Sequence, residues 1–307
     1  MVKRKVARIG PSTLMISLPS KWCKHFNIQK GAELDVEEQG SEIKIRVNEN
    51  KSLLETTVDI SNLGYRTGKW TLGIPFTAGY DLINVNHEEN QKDFINSIIR
   101  EEFIGFIISE QNDNKTVFKK VTMESEEEFD ALLRRVFLLT IDLSQKVVTA
   151  LNESKPSALK NYLVMEKTNN QLVNHCFRLL VKSGYKDYKK TDFYHVVVWN
   201  LEKLADEFKY MINYFQNKKL DLNKELIDIL REIQEIFQQY YETFYSFSLD
   251  KLDKLTVRNK ELQDIILGME KKLSKEDTVL TFFMIKLLDR LDNFSSSFVA
   301  INLKQHL

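Results

Sequence analysis

The chain has 307 residues, of which 44 are Lys or Arg and 44 are Asp or Glu, so its formal net charge is zero. With 43% hydrophobic and 29% charged residues it is neither a disordered tail nor a collagen-like repeat, and its length suffices for two or three domains. Two cysteines, Cys23 and Cys176, cannot build a disulfide framework, and no apolar signal segment follows the basic start. The most apolar stretch, residues 278–288, is too short to cross a bilayer. We therefore expect a cytoplasmic protein without a membrane span.

Glycine and proline are distributed unevenly along the chain. Eight of the ten glycines and three of the four prolines lie before residue 106. Dense turn formers are typical of short strands and loops, whereas their absence is typical of long helices. The change near residue 120 predicts three domains, at residues 1–50, 51–122 and 123–307. The expected fold class is multidomain: an all-β N-terminal unit, a small α+β middle domain and an all-α C-terminal half.

Residues 1–50 show the alternation of apolar and polar residues that is typical of half-buried strands. The predicted order is strand, turn, strand, a short helix at 21–26, strand, turn, strand, with the second strand extending to Leu18. Ser20 is the expected N-cap of the helix, and Gly31 and Gly40 are expected in turns. Because about 50 residues of short strands make a poor independent core, we expect this unit to need a partner.

The middle domain is predicted to contain strands at 56–60, 81–86, 106–110 and 116–121 and a helix at 91–103. Residues 61–80 are predicted to be irregular, and Asn112-Asp113-Asn114 is a hairpin turn pattern. The pattern indicates a small α+β domain and no particular chemistry.

The C-terminal half is predicted to contain six helices, at about 125–153, 157–182, 191–217, 221–247, 250–273 and 276–304, the first starting at Ser125. Helices three and six carry apolar stripes typical of a bundle core: Phe193, Val197, Leu201, Leu204, Phe208, Met211 and Phe215, and Leu280, Met284, Leu287, Leu291, Phe294, Phe298 and Ile301. Leu201-Glu202-Lys203-Leu204 resembles Leu288-Asp289-Arg290-Leu291, 87 residues later. We therefore predict a duplicated three-helix repeat, at about 125–217 and 221–304.

The zero net charge hides a basic start, because residues 1–32 contain seven basic residues and no acidic one. Such a patch attracts phosphate backbones by counterion release, although small domains also carry basic faces for solubility. Arg4-Lys5-Val6-Ala7-Arg8-Ile9-Gly10, Leu14-Met15-Ile16-Ser17-Leu18-Pro19, Trp22 to Phe26 and Lys30-Gly31 occur in an order that resembles the AbrB/SpoVT/MazE swapped-hairpin family, over roughly residues 3–48. The resemblance implies a homodimer of interleaved hairpins that binds DNA. The basic residues at matching positions are Arg4, Lys5, Arg8 and Lys24, and Lys21 is a neighbouring basic residue that we include in the predicted DNA-binding set.

Glu202 and Asp206 lie four residues apart on the predicted third helix, so their carboxylates share one face. Two such helices could hold a metal ion between them, whereas the alternative is a solvated charged face paired with Lys203 or Lys209.

A second resemblance covers residues 130–304. Leu132-Leu133-Arg134-Arg135, Leu201-Glu202-Lys203-Leu204-Ala205-Asp206 and Leu288-Asp289-Arg290-Leu291-Asp292-Asn293 together resemble PhoU, the phosphate-uptake regulator family. The resemblance implies a divalent or transition metal ion at Glu202, Asp206, Asp289 and Asp292. Glu166 keeps a family carboxylate on helix two, where Asn169 and Asn170 stand in place of others.

Archaeal regulators that join an AbrB-like domain to a PhoU-like domain have the same domain order. The resemblance implies a DNA-binding transcriptional regulator of phosphate uptake, whose helical half senses or relays phosphate status through a transporter ATPase or a sensor protein. The alternative is an adaptor that restrains a phosphate transporter, with the N-terminal unit only dimerising it.

Two further expectations concern chemistry. His195 and Trp199 extend the stripe of Glu202 and Asp206, and this stripe could be a contact face for a partner protein. The sequence has no Gly-rich phosphate loop, nucleophile elbow or metalloprotease signature, so we expect no enzyme, although a hydrolase that uses Glu202 stays open.

Overall fold

The computed structural model describes residues 3–39, 42–47, 53–122, 128–269 and 273–303. The chain separates into two compact units, residues 1–53 and residues 54–307. The first unit consists of short strands and a short helix, and the second joins an α+β part to a helical part. The predicted small N-terminal sheets and C-terminal helical region are thereby confirmed.

In the first unit, one antiparallel hairpin precedes a short helix and another follows it. Strand β1 (Ala7–Ile9) pairs with β2 (Thr13–Met15), helix α1 spans Ser20–His25, and β3 (Leu34–Gln39) pairs with β4 (Glu42–Val47). The positive φ of Gly10 (77°) permits the first hairpin turn, and Gly31 also has a positive φ (90°). The turn predicted at Gly40 lies outside the described residues.

Two details of this unit differ from the prediction. Strand β2 ends at Met15 rather than Leu18, because the pairing with β1 ends where Ala7 lies opposite Met15. Ser20 is the first helical residue rather than the N-cap. Pro19 occupies the N-cap position with an extended backbone (ψ 123°), and its carbonyl accepts a hydrogen bond from the Cys23 N–H at 3.0 Å.

The α+β part of the second unit is a four-stranded mixed sheet with two helices. In chain order it comprises β5 (Glu55–Asp59), α2 (Tyr65–Thr77), β6 (Leu82–Asn86), α3 (Lys92–Glu102), β7 (Phe106–Gln111) and β8 (Lys115–Lys120). The strands lie in the order β5-β6-β8-β7, with β5 and β6 parallel and the other pairs antiparallel. The predicted strands and the second helix of this part are confirmed within one or two residues.

Helix α2 lies in the segment predicted to be irregular, so that prediction was wrong. Four glycines and Pro75 in residues 61–80 suggested turns, but Leu72 and Phe76 on one face of α2 are fully buried. Gly68 is buried too, and an added Cβ there would lie 3.3 Å from a ring carbon of Phe94. Glycine therefore allows close packing here, and burial of an apolar face outweighs the low helix propensity of the segment.

The helical part contains long helices joined by short connections. They are α4 (Glu128–Asn152), a short α5 (Pro156–Leu159), α6 (Leu163–Ser183), α7 (Thr191–Phe215), α8 (Lys224–Tyr245), α9 (Leu249–Leu267), α10 (Lys275–Asp292) and a short α11 (Ser295–Asn302). The helix start predicted at Ser125 lies outside the described residues. No helix in the described part of the chain is both long enough and apolar enough to cross a membrane.

Two of the six predicted helices are interrupted in the structure. A 3-10 turn at Lys160–Tyr162 separates α5 from α6 within predicted helix two. Predicted helix six ends at Asp292 and resumes as α11 at Ser295. Asn and Ser side chains compete with the helix for backbone hydrogen bonds, so Asn293 and the serines at 295–297 favour a break at this point.

The predicted apolar stripes are buried with one exception. Every member of the helix-six stripe is buried, whereas Phe193 on α7 is 38% exposed. Its neighbour Tyr194 is buried instead, with its ring 3.8 Å from that of Tyr185. Phe193 and Tyr194 are adjacent in the first turn of α7. Tyr194 packs against Tyr185 and is the buried ring of the two, whereas Phe193 faces outward.

The long helices pack as two similar groups. Helices α4, α6 and α7 contact one another, as do α8, α9 and α10, and the groups meet through α4 with α8 and α7 with α10. The pattern of contacts is unchanged when α4, α6 and α7 are exchanged with α8, α9 and α10, respectively. This symmetry is the packing expected of a duplicated three-helix repeat. Equivalent leucines of the repeated segment, Leu201 and Leu288, are both fully buried.

A buried arginine ties the α+β part to the helical part. Arg178 on α6 is 0% exposed and donates to the carbonyl oxygens of Phe76 (2.9 Å) and Tyr80 (2.7 Å). It also donates to Asp81 Oδ1 at 2.5 Å, and Lys182 Nζ lies 2.7 Å from the same oxygen. Because these groups are buried, their hydrogen bonds fix the position of α6 against the sheet.

Candidate functional site

The five basic residues predicted to bind DNA all lie on the surface of the first unit. Arg4 and Lys5 precede β1, Arg8 lies on β1, and Lys21 and Lys24 lie on α1; all five are exposed. Lys21 and Lys24 are three residues apart and so share a face of α1. Within the part of the chain that the structure describes, none of the five forms an ion pair, so their charges are available to an anionic ligand.

The same unit exposes its apolar side chains. None of the side chains that the structure describes in residues 3–47 is buried. Leu14 is 68% exposed, Ile43 is 66% exposed, and the other large apolar residues with high exposure are Val6, Ile9, Met15, Ile16 and Val36. Several large apolar residues exposed on one small unit indicate an interaction surface, because burial of apolar area is the main term that stabilises a fold.

The acidic pair predicted on the third helix lies on α7 and is joined by a carboxylate from α6. Lys203 Nζ lies 3.1 Å from Glu202 Oε1 and 3.1 Å from Asp206 Oδ2. Lys209 Nζ lies 2.5 Å from Asp206 Oδ1 and 2.7 Å from Glu166 Oε1, so it links α7 to α6. We call these five residues, Glu166, Glu202, Lys203, Asp206 and Lys209, the acidic cluster.

The charges of the acidic cluster depend on one another. Burial raises the pKa of Glu202, and the ammonium group of Lys203 partly opposes this shift. Burial lowers the pKa of Lys209, but hydrogen bonds to Asp206 and Glu166 outweigh it and the net shift is upward. The pKa of Lys203 is raised in the same way by Glu202 and Asp206 against the effect of burial. Both lysines are therefore cations at neutral pH.

Asp289 and Asp292, the other predicted metal ligands, are exposed on α10. Asp289 accepts a hydrogen bond from Gln263 at 3.1 Å. Among the described residues, neither of these aspartates shares a hydrogen bond or an ion pair with Glu202 or Asp206, so the four predicted ligands do not meet at one point.

The residues present do not fit a metal ion. No group of three or more His, Cys, Asp or Glu side chains in the described ranges is placed to hold one. In the acidic cluster, both oxygens of Asp206 already face lysine ammonium groups. The pairing with Lys203 and Lys209, which the sequence left open as the alternative, is the arrangement that the structure contains.

His195 and Trp199, the predicted partner face, lie on the exposed side of α7. Trp199 is 47% exposed, and Lys203 Nζ lies 4.5 Å from the centre of its ring. The His195 ring contacts Phe177 at 4.5 Å between centroids, and burial lowers the pKa of His195. Trp199 thus joins the acidic cluster through a cation–π contact, while His195 lies against α6.

Sequence reasoning missed the structural role of Arg178 and the link that Lys209 makes to Glu166 on α6. The spacing of Lys209 and Asp206 places both on one helix face and indicated their pairing, but it gave no sign of the partner on α6. Arg178 gave no such sign, because its partners Phe76, Tyr80 and Asp81 lie about a hundred residues earlier in the chain.

No protein-family model, curated protein or solved structure matches the chain.

Proposed function

We propose that the chain is a homodimeric, DNA-binding transcriptional regulator of phosphate uptake. The observation that carries the proposal is the surface of the first unit, which exposes apolar residues together with basic residues that form no ion pair among the described residues. The former need a protein partner, and the latter suit a polyanion.

A second copy of the first unit is the partner that this proposal assigns to the apolar surface. Alternating positions such as Leu14 and Ile16 carry the apolar pattern of strands, yet both are exposed in one chain. Two copies with interleaved hairpins, as in the family that the segment resembles, would bury these residues against each other. A dimer would also present Arg4, Lys5 and Arg8 twice, which suits the two phosphate backbones of duplex DNA.

The proposed link to phosphate rests on the helical part. Its two similar groups of three helices and the segment around Glu202 and Asp206 support a PhoU-like body that senses or relays phosphate status. The partner we propose for it is a phosphate-transporter ATPase or a sensor protein. To act as a switch, such a partner must bind the DNA-competent and DNA-incompetent states with different affinities.

Fluorescence anisotropy with duplex DNA from upstream of phosphate-transport genes tests the proposal. The full-length chain is compared with the R4A/K5A/R8A variant and with a control, K160A/K219A/K251A, which removes three exposed lysines from the second unit. We expect the first variant to bind at least about tenfold more weakly and the control to bind like the wild type.

Three results bear on the alternatives. Absence of salt-sensitive binding by the wild type would eliminate the DNA-binding function. If R4A/K5A/R8A loses DNA binding but phosphate uptake in cells is still regulated normally, the result favours the alternative in which the chain is an adaptor and the first unit only dimerises it. Loss of both DNA binding and phosphate-dependent transcription supports the regulator.

A further inference from the structure

The acidic cluster carries a further inference that does not depend on DNA binding. Its three carboxylates, on Glu166, Glu202 and Asp206, bring three negative charges to a region where Glu166 and Asp206 are largely shielded from water, with side chains 5% and 14% exposed. Carboxylates brought together in this way require compensating positive charge.

Lys203 and Lys209 provide that charge. Two ammonium groups carry two positive charges, which equals the charge of one divalent cation. Lys209 also cross-links α6 and α7, because it lies within hydrogen-bond distance of both Glu166 and Asp206. Charge neutralisation and cross-linking are the two contributions that a structural metal ion makes to a carboxylate site between helices.

Aromatic rings hold both lysines in place. Lys203 Nζ lies 4.5 Å from the Trp199 ring centre, and Lys209 Nζ lies 5.3 Å from the Tyr210 ring centre. Each ammonium group therefore contacts two carboxylates and one aromatic face, which restricts a side chain that is otherwise flexible.

The second repeat supports the same conclusion. Arg290 stands in the repeated segment at the position of Lys203, between Asp289 and Asp292 in sequence. Its guanidinium lies 3.9 Å from the buried carboxylate of Glu207 on α7, and Lys286 Nζ lies 3.4 Å from Glu207. Both repeats thus use basic side chains to balance partly or fully buried carboxylates.

We infer that Lys203 and Lys209 replace a divalent metal ion in the acidic cluster, so that the helical part of this chain is stabilised by internal cations and needs no metal there. The chain would keep the carboxylates of a metal-binding bundle while its charge balance is built into α7 itself.

Divalent-metal binding by the full-length protein tests this inference. Isothermal titration with Mn²⁺ and elemental analysis of purified protein are expected to show no stoichiometric metal in the wild type, and its urea unfolding midpoint is expected to be the same with and without EDTA. Stoichiometric binding by the wild type that E202Q abolishes would overturn the inference, and this measurement needs no lysine variant to fold.

Removing the two lysines gives the complementary test. We expect K203M/K209M to unfold at lower urea concentration than the wild type, and we expect Mn²⁺ to restore part of the loss with an affinity at least about tenfold above that of the wild type. The restoration should disappear when E202Q and D206N are added. The control variant K146M/K254M removes lysines paired with exposed carboxylates and should show no Mn²⁺ effect. Equal Mn²⁺ responses of K203M/K209M and this control would contradict the inference.

Discussion

The two units of the chain differ in what stabilises them. In the described part of the second unit, buried hydrophobic residues form two clusters, one around the sheet and one within the helices. The first unit has no buried side chain among those described in residues 3–47. Since burial of apolar area is the main stabilising term, the second unit has a core within one chain, whereas the proposed dimer would supply the first unit with the apolar contacts that it lacks. An alternating strand pattern therefore does not ensure burial within one chain: Leu14 and Ile16 carry that pattern and are exposed, whereas the alternating residues Ile83 and Val85 of β6 are fully buried.

The largest expected effect comes from charging the apolar surface of the first unit. In L14D/I16D, two carboxylates would have to be buried in the dimer, so we expect dissociation to monomers and unfolding of residues 3–47. Sedimentation velocity at micromolar concentration and amide hydrogen exchange measure the two changes. L138D, at an exposed apolar position of α4, is the control and should change neither result. A dimer that persists in L14D/I16D would show that another surface mediates self-association.

A large effect that does not depend on protein concentration is expected within the second unit. R178M removes the buried guanidinium that donates to Asp81 and to the carbonyl oxygens of Phe76 and Tyr80. Although Lys182 still donates to Asp81, we expect a loss of about 3–5 kcal/mol in the free energy of unfolding. Urea denaturation measures it. R66M, which alters an exposed arginine over Trp70, should change stability by less than about 0.5 kcal/mol. Equal values for the two variants would mean that Arg178 does not hold α6 to the sheet.

Two buried asparagines give a smaller test of the predicted duplication of the helical part. Asn169 donates to Thr140 Oγ1 at 2.8 Å, and Asn259 donates to the Leu288 carbonyl at 2.9 Å. Because each replacement removes one buried hydrogen bond, we expect N169A and N259A to lower the free energy of unfolding by about 1–3 kcal/mol each. The exposed N213A is the control and should stay near the wild type. A cost confined to one asparagine would show that the two repeats are not equivalent in stability.

The smallest expected effect is a pH dependence from His195. Burial lowers the pKa of His195, and Asp192 opposes part of this shift. The folded state therefore disfavours the protonated ring. The stability that the neutral His195 ring contributes is fully present above the ordinary pKa of 6.5 and is lost as the pH falls through the lower pKa of the folded state. Urea midpoints measured at pH 7.5 and pH 5 should fall slightly less in H195N than in the wild type. Equal decreases of the urea midpoint in H195N and in the wild type would show that His195 does not contribute to the pH dependence of stability.

Periodicity predicted the parts of the fold in which neighbours in sequence decide the structure. The stripe from Leu280 to Ile301 is buried as its spacing indicated, and most strands lie within two residues of their predicted positions. Helix α2 was missed because Gly68 and Pro75 have low helix propensity, and only packing against the sheet and Phe94 outweighs it. Contacts distant in sequence could not be predicted, since no local pattern joins Arg178 to Asp81.

In the candidate sites, too, features set by local spacing could be predicted, whereas contacts between helices could not. The spacing of Glu202 and Asp206 predicted their shared face, and the basic residues of the first unit were predicted to be exposed to a ligand. The position of Glu166 beside Asp206 depends on the packing of α6 against α7, which the sequence does not specify. The choice between a metal ion and lysines likewise depended on where Lys203 and Lys209 point.

The salt dependence of DNA binding tests the central claim most directly. Removing three basic residues from each of two protomers takes away up to about six phosphate contacts, each worth about 0.9 in the slope of log K against log salt concentration. We predict a steep negative slope for the full-length wild type, the same slope for K160A/K219A/K251A, and a slope shallower by up to about 5 for R4A/K5A/R8A. Wild-type binding that does not depend on salt, or equal slopes for all three proteins, would contradict the claim that the first unit binds DNA through its exposed basic residues.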